Sequence, residues 1–396
     1  MRQTDVLERR GLGITGNPDY DGTPFTDFAS VTPKTDVEQL NLNWRERDLP
    51  ERQRTKHVHR LHPYLGKFVP QLVEIFLRKY RPRVVCDPFC GSGTTLVEAN
   101  ALGIESVGCD LSPFNYLLSR VKTDAYDVAL LRSEIQGILA NLEPSRQLSF
   151  AEEQDDYLAS WYAPRARREL LTYKALIPNY TYQNLLKVIL SRAARSARRT
   201  THFDLDFPKK PVTGEYYCHK HQRTCRPTDE AMKFLSRYST DAVRRVEEYS
   251  GLRTGAPVTV FQGDSRDVEF AECDMVITSP PYVGLIDYHA QHRYAFELLG
   301  LEGYEALEIG ASRKGNSEKA ARKYIEEMGE AFNNVAASMP RGARMVIVVH
   351  DRRDLYDDLA AKLGFTVEYR LQRHVNRRTG RRAGDFFEDV IVWRTS

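Results

Sequence analysis

No apolar run in this 396-residue chain approaches the roughly 20 residues that a membrane-crossing helix needs, which excludes such a span. The start, Met1-Arg-Gln-Thr-Asp5, carries no apolar core of a secretory signal, so the cytoplasm is the expected compartment. Cysteine is scarce. The six present, Cys86, Cys90, Cys109, Cys218, Cys225 and Cys273, are too few for a disulfide framework in a chain this long, and a reducing compartment fits them. Two phosphate-binding patterns are missing as well. There is no Gly-Lys-Ser/Thr of a nucleotide-phosphate loop, and no third glycine completes G-x-G-x-x-G.

Charge is nearly balanced at +3 but unevenly spread. Between Trp161 and Arg226 fourteen Lys/Arg face only Glu169, Asp204, Asp206 and Glu215, a local excess of ten, so the remainder is net negative by seven. A basic island on an acidic body is a footprint for a polyanion, although a solvated charged face reads the same way by charge alone.

Along the chain, residues 1–44 are rich in Thr, Asp, Gly and Pro without period and read as a loosely ordered arm. Residues 45–67 are basic and histidine-bearing, and Phe68, Leu72, Ile75 and Phe76 then share one helical face. A strand at 83–87, a glycine-rich turn, a helix and a second strand ending in Asp110 make half of a doubly wound α/β sheet. Residues 123–257 interrupt it with a largely helical, basic region, the candidate target-recognition domain. Strand signals return at 258–261, 275–278 and 344–349, and segments 365–371 and 389–393 have the pattern of a C-terminal hairpin.

Asp87-Pro-Phe-Cys-Gly-Ser-Gly-Thr-Thr95 lets the backbone approach a ligand closely at Gly91 and Gly93, while Pro88 and Phe89 stiffen the turn and add an apolar wall. Asp110, at the end of the next strand, is placed to bond paired ribose hydroxyls. A ligand with a ribose and a base but no phosphate fits these residues better than NAD, and S-adenosylmethionine is that ligand. Ser279-Pro280-Pro281-Tyr282 follows the apolar run Met275-Val276-Ile277, and its two prolines freeze the backbone where a buried strand ends. Alone it is an ordinary stiff turn. Beside the cofactor turn it suits a planar amino-bearing base, with Tyr282 offering a face to stack on.

These motifs resemble those of the amino-directed DNA methyltransferases, in particular the N4-cytosine group. Asp87 to Thr94 matches the family's D-P-F-x-G-S-G-T cofactor segment. Gly108-Cys-Asp-Leu-Ser112 matches its ribose-holding acid at Asp110, with Leu111 beside it, and Gly263-Asp264-Ser265 fits its adenine-contacting acid at Asp264. His62 to Phe68 resembles an additional cofactor-side motif. The resemblance implies a Rossmann-like methyltransferase sheet, S-adenosylmethionine, double-stranded DNA and a cognate restriction endonuclease acting separately. Ser279, Pro280, Pro281 and Tyr282 then form the catalytic motif, S-P-P-Y in N4-cytosine enzymes and usually D-P-P-Y in adenine-N6 ones. Cytosine N4 is the expected target of a flipped-out base. Adenine N6, an RNA base and a non-catalytic binder on the same fold are the alternatives. The order departs from many N4-cytosine enzymes, in which the catalytic motif comes first.

Arg192, Arg195 and Arg199, with Arg198 beside them, are the candidate phosphate contacts of the inserted region, and Arg377 and Arg378 those of a second arginine strip at 370–382. Cys218-His-Lys-His-Gln-Arg-Thr-Cys225 invites a zinc reading. Four ligands from eight contiguous residues are cramped, so the expectation is no metal and a packed or DNA-contacting loop.

Overall fold

Three apolar runs without alternation, at 84–86, 275–277 and 345–349, have the composition of strands covered on both faces. In the computed structural model, which describes residues 24–45, 47–66, 69–142, 156–202, 204–205, 208–375 and 386–396, they form the centre of one sheet. β1 (Val84–Asp87), β2 (Glu105–Asp110), β5 (Val258–Gln262), β6 (Met275–Thr278) and β7 (Arg344–Val349) are mutually parallel, and β8 (Phe365–His374) with β9 (Phe387–Thr395) closes one edge as an antiparallel hairpin. A separate two-stranded ribbon pairs β3 (Tyr216–Cys218) with β4 (Arg223–Cys225). The seven-stranded order is β5-β2-β1-β6-β7-β9-β8. This is the doubly wound α/β sheet and C-terminal hairpin expected of a Rossmann-like methyltransferase.

Side chains alternate between two cores. Met275, Ile277, Val346 and Val348 face α1 (Pro70–Tyr80), whose Leu72, Val73, Phe76 and Leu77 are buried there. Val276, Met345 and Ile347 face the other way, against Met328, Phe332 and Val335 of α9 (Glu318–Ala336). The N-terminal segment corrects an expectation. Val31, Val37, Leu40 and Leu42 are buried in the first of these cores, and Asn43 accepts the backbone N–H of His374 at 2.7 Å. Residues 24–44 are thus a packed strap rather than a loose arm.

The interrupting region is largely helical: α4 (Val128–Ala140), α5 (Pro164–Leu176), α6 (Gln183–Ala197) and α7 (Met232–Ser250). Its apolar faces share one cluster with Phe114 and Leu118 of α3 (Pro113–Thr123) and with Tyr294 and Leu298 of α8 (Tyr288–Leu299). Most of that cluster comes from the interrupting region itself, and it is completed by the helices that flank the sheet. No described helix is long and apolar enough to cross a membrane.

Strand order reverses between β1 and β6, so their carboxyl ends open a crevice there, where open α/β sheets hold ligands. One side chain ties the two ends together. Asp87 is fully buried; its Oδ2 accepts from Thr95 Oγ1 of α2 (Thr94–Ala101) at 2.7 Å, and its Oδ1 from Thr278 Oγ1 at 2.7 Å and the Phe89 N–H at 3.2 Å. Burial pushes its carboxyl up from 3.8 to about 6, against the pull of those hydrogen bonds.

Asp87 therefore adds stability in acid that is lost as pH rises through about 6, and the two threonine hydroxyls offset part of that loss. Thr278→Val is expected to cost about 1–3 kcal/mol near pH 8, where the buried charge loses a donor, and less near pH 5, where the carboxyl is protonated. Urea denaturation at the two pH values measures this, and an equal cost at both would contradict it.

Candidate active site

After Asp87 the chain must turn away from the sheet without side chains in the way. Gly91 and Gly93 do this with φ of +50° and +77°, a region other residues rarely enter. A Cβ on Gly93 would stand 3.1 Å from Ser119, and one on Gly91 would stand 3.1 Å from the Tyr64 hydroxyl. The turn delivers the chain into α2 and leaves bare backbone at Gly91 facing a cleft of about 980 Å³ including its open mouth.

Phe89, Gly91, Thr94, Asp110, Leu111 and Asp264 line that cleft. Asp87, Pro88 and Gly93 do not; they stand behind it and shape the turn. Phe68 lies outside the described residues. Asp110 accepts from the Gly91 N–H at 2.9 Å, the Ser112 N–H at 2.9 Å and Asn115 Nδ2 at 3.0 Å. Those bonds use three of about four acceptor positions on a carboxylate. Burial pushes the Asp110 carboxyl up to about 6 despite the three donors. Asp264 is different: burial works against its charge, but the bonds from Arg266 hold its carboxyl below the usual range.

Ser279 and Pro281, at the end of β6, line the same cleft, and Pro280 is buried just behind. The Tyr324 hydroxyl donates to the Pro281 carbonyl at 2.9 Å, which fixes the turn from the α9 side. Tyr282 is next in the chain and lies beside the cleft, outside its lining. Its hydroxyl donates to Glu388 Oε1 at 3.1 Å and lies 3.5 Å from Ser279 Oγ. Burial, with the Glu388 charge next, pushes the Tyr282 phenol up, so it stays a donor.

Several residues on or beside the cleft escaped the sequence reading. Tyr288, on α8, stacks on Tyr64 with ring centroids 5.9 Å apart, closing the wall opposite Gly91. Glu308 enters from the loop after α8, where Arg313 bridges it to Asp287 at 3.0 and 2.9 Å. Glu388 comes from β9, on the hairpin. A glutamate in a run reading Phe-Glu-Asp-Val-Ile-Val looks like an edge residue, and the place of β9 beside β7 brings it to the Ser-Pro-Pro-Tyr turn.

The arginine row is only partly a surface. Arg192 pairs with Asp241 at 2.8 Å and lies over the Tyr238 ring at 4.1 Å. Arg198 is buried, donating to the Leu205 carbonyl at 2.7 Å over the ring of Tyr294. Both of these candidate phosphate contacts are engaged inside the protein, because α6 is flanked by α7 on one side and α8 on the other. Arg195 and Arg199 are half-buried, and Arg377 and Arg378 lie outside the described residues. A second, strongly basic groove runs between the segment at 52–60 and α7, lined by Arg52, Lys56, Arg60, Arg237 and Arg244.

A family model described as DNA methylase matches residues 30–119. The chain is 35% identical, over 87% of its length and 81% of the relative's, to the Type II methyltransferase M.MjaII of Methanocaldococcus jannaschii. It is 25% identical to the Type II methyltransferase M.MvaI of Kocuria varians, over 57% of this chain and 53% of that one. Among solved structures, the rRNA methyltransferase aviRa of Streptomyces viridochromogenes aligns over 84% of this chain and 88% of its own at 14% identity, with a TM-score of 0.33, too loose a match to carry an argument. With the likeness to the Methanocaldococcus protein running over most of both chains, the chain belongs to the amino-directed DNA methyltransferases, whose methyl donor is S-adenosylmethionine.

Proposed function

We propose that the chain methylates the exocyclic N4 amino group of a cytosine flipped out of double-stranded DNA. The observation that carries this reading is Ser279, a hydroxyl and not a carboxylate, at the head of a Pro-Pro-Tyr turn in the same cleft as Gly91 and Asp110. S-adenosylmethionine, when bound, supplies an electrophilic methyl group on a sulfonium. The residues fit it: Gly91 offers bare backbone where a Cβ would crowd the cleft, and Asp110 keeps an acceptor position for a ribose hydroxyl.

A base in a duplex cannot reach such a cleft, so it has to leave the stack. The Ser279 hydroxyl and the Pro280 carbonyl then accept the two amino hydrogens. These bonds bend the amino group toward tetrahedral geometry, so that its lone pair aims at the methyl carbon instead of conjugating with the ring. Transfer is an in-line displacement and draws its rate mainly from orientation. The amino nitrogen would gain the methyl group as the donor's sulfur–methyl bond breaks to leave a neutral thioether, and the surplus proton of the resulting cation passes to water. Tyr282 stacks on the base, held at its far end by Glu388. A serine accepts well from a cytosine amino group without placing a second negative charge beside Glu388; an aspartate in its place is the usual mark of adenine-N6 enzymes.

Double-stranded DNA is the substrate in this reading, with Arg195, Arg199 and the groove lined by Arg52, Arg60, Arg237 and Arg244 as phosphate contacts. Arg377 and Arg378 are proposed for the same role. A separately acting restriction endonuclease with the same site specificity is the implied partner.

Digestion of DNA methylated by the purified chain, followed by nucleoside mass spectrometry, is expected to return N4-methylcytosine; N6-methyladenine alone would overturn the cytosine assignment. Ser279→Ala is expected to lower kcat by about 10²-fold or more while S-adenosylmethionine still binds. Because Asp110 titrates near 6, cofactor affinity should weaken as pH falls through that value. Asp110→Asn should weaken it about tenfold or more at neutral pH and flatten the pH dependence, read by isothermal titration calorimetry.

A further inference from the structure

The ribbon of β3 and β4 has no visible means of support. Each strand is three residues long, and the only buried side chains are Cys218 and Cys225. Neither belongs to any of the hydrophobic clusters formed by the described residues. A two-stranded ribbon of this size is not stable in water by itself, and small elements without a core are usually stapled by a covalent bridge or a metal.

Four donor groups converge where the two buried cysteines lie, two exposed histidines joining them from the surface. Cys218 and Cys225 lie diagonally across the ribbon, Tyr216 opposing Cys225 and Arg223 opposing Cys218. The turn between the strands folds back, with the His221 N–H donating to the Cys218 carbonyl at 3.1 Å, and brings His221 Nδ1 to 3.6 Å from Cys225 Sγ. The fourth group comes from elsewhere in the chain. His202, beyond the end of α6, places Nδ1 3.6 Å from Cys218 Sγ, and the two imidazole centroids are 4.6 Å apart. One donor atom from each of the four residues lies within 4.8 Å of every other.

We propose that His202, Cys218, His221 and Cys225 form a structural zinc site. A tetrahedral zinc ion with bonds of about 2.3 Å to sulfur and about 2.0–2.1 Å to nitrogen requires sulfur–nitrogen separations of about 3.6 Å. Both measured pairs have that separation. The expectation of no metal rested on four ligands being crowded into eight contiguous residues, with His219 among them. His202 removes that objection, and His219 is outside the cluster, its ring edge-on to Tyr217 at 5.1 Å. The Tyr216 hydroxyl orients the incoming ligand: it accepts the His202 N–H at 3.0 Å and lies 2.9 Å from Nδ1. With the metal in place it keeps the first bond and turns its own proton to solvent. Four protein donors leave no open position, so the role is to fasten the connection between α6 and α7, not to activate water. The site is independent of which base the enzyme methylates.

The test is metal analysis of the full chain, purified under reducing conditions without chelator, by inductively coupled plasma mass spectrometry. About one zinc per chain is expected, falling below about a tenth in Cys218→Ser and in His202→Ala while His219→Ala keeps the full content. As a readout free of folding defects in the variants, cobalt(II) added to the chelator-stripped wild-type chain should give the visible bands of a tetrahedral thiolate-bound ion. Wild-type protein that carries no zinc and gives no such bands would overturn the proposal. So would a Cys218–Cys225 disulfide found by thiol counting, or loss of metal in His219→Ala equal to that in His202→Ala.

Discussion

The carboxylate of Asp87 holds two turns in one frame. Its two oxygens accept hydrogen bonds from the hydroxyls of Thr95 at the start of α2 and Thr278 at the end of β6, each at 2.7 Å. The first turn shapes the cofactor side of the cleft, and the second leads directly into Ser279. A displacement of about 1 Å between a nucleophile and its methyl donor is enough to slow a transfer that relies on orientation. A buried charge is costly by itself, and burial does raise this carboxyl to about 6. The cost is kept where the two halves of the reaction have to meet.

Other polar contacts extend the frame outward. Asn115 and the Gly91 and Ser112 amides hold Asp110, so the second strand's acid is aimed before any cofactor arrives. Tyr324 holds the Pro281 carbonyl, and Glu388 holds Tyr282. The Ser-Pro-Pro-Tyr turn is thereby gripped from α9 on one side and from the C-terminal hairpin on the other. That hairpin, whose arginine-rich connection reads as a DNA contact by composition, also reaches the catalytic motif through a single glutamate.

Much of this was legible because local pattern and global fold agree. Val84-Val85-Cys86 and Met275-Val276-Ile277 are continuous apolar runs ended by an acid or by prolines, and they are the strands at the switch point. Gly91, Asp110, Asp264 and Ser279 were legible for the same reason: each sits at a strand end with a backbone or charge requirement of its own. What could not be read depends on partners far away in sequence. Val31, Val37, Leu40 and Leu42 have no period because they follow the sheet surface as an irregular strap. The spacing of Arg192 correctly placed it on a helix face, but nothing local reveals that Asp241 on α7 meets it. His202 carries no metal signature until the ribbon folds against it, and Glu388 no catalytic one until β9 pairs with β7.

Cofactor and target amino group must meet across one cleft, between the turn after β1 and the turn after β6. The most direct measurement is a crystal structure of the chain with sinefungin, a transfer-inert analogue that carries an amine-bearing carbon where the methylsulfonium stands. The account predicts a ribose hydroxyl on Asp110, the ligand chain along Gly91 and the amine pointing at Ser279. A ligand bound away from Asp110, or bound there with its amine turned away from Ser279, would contradict it.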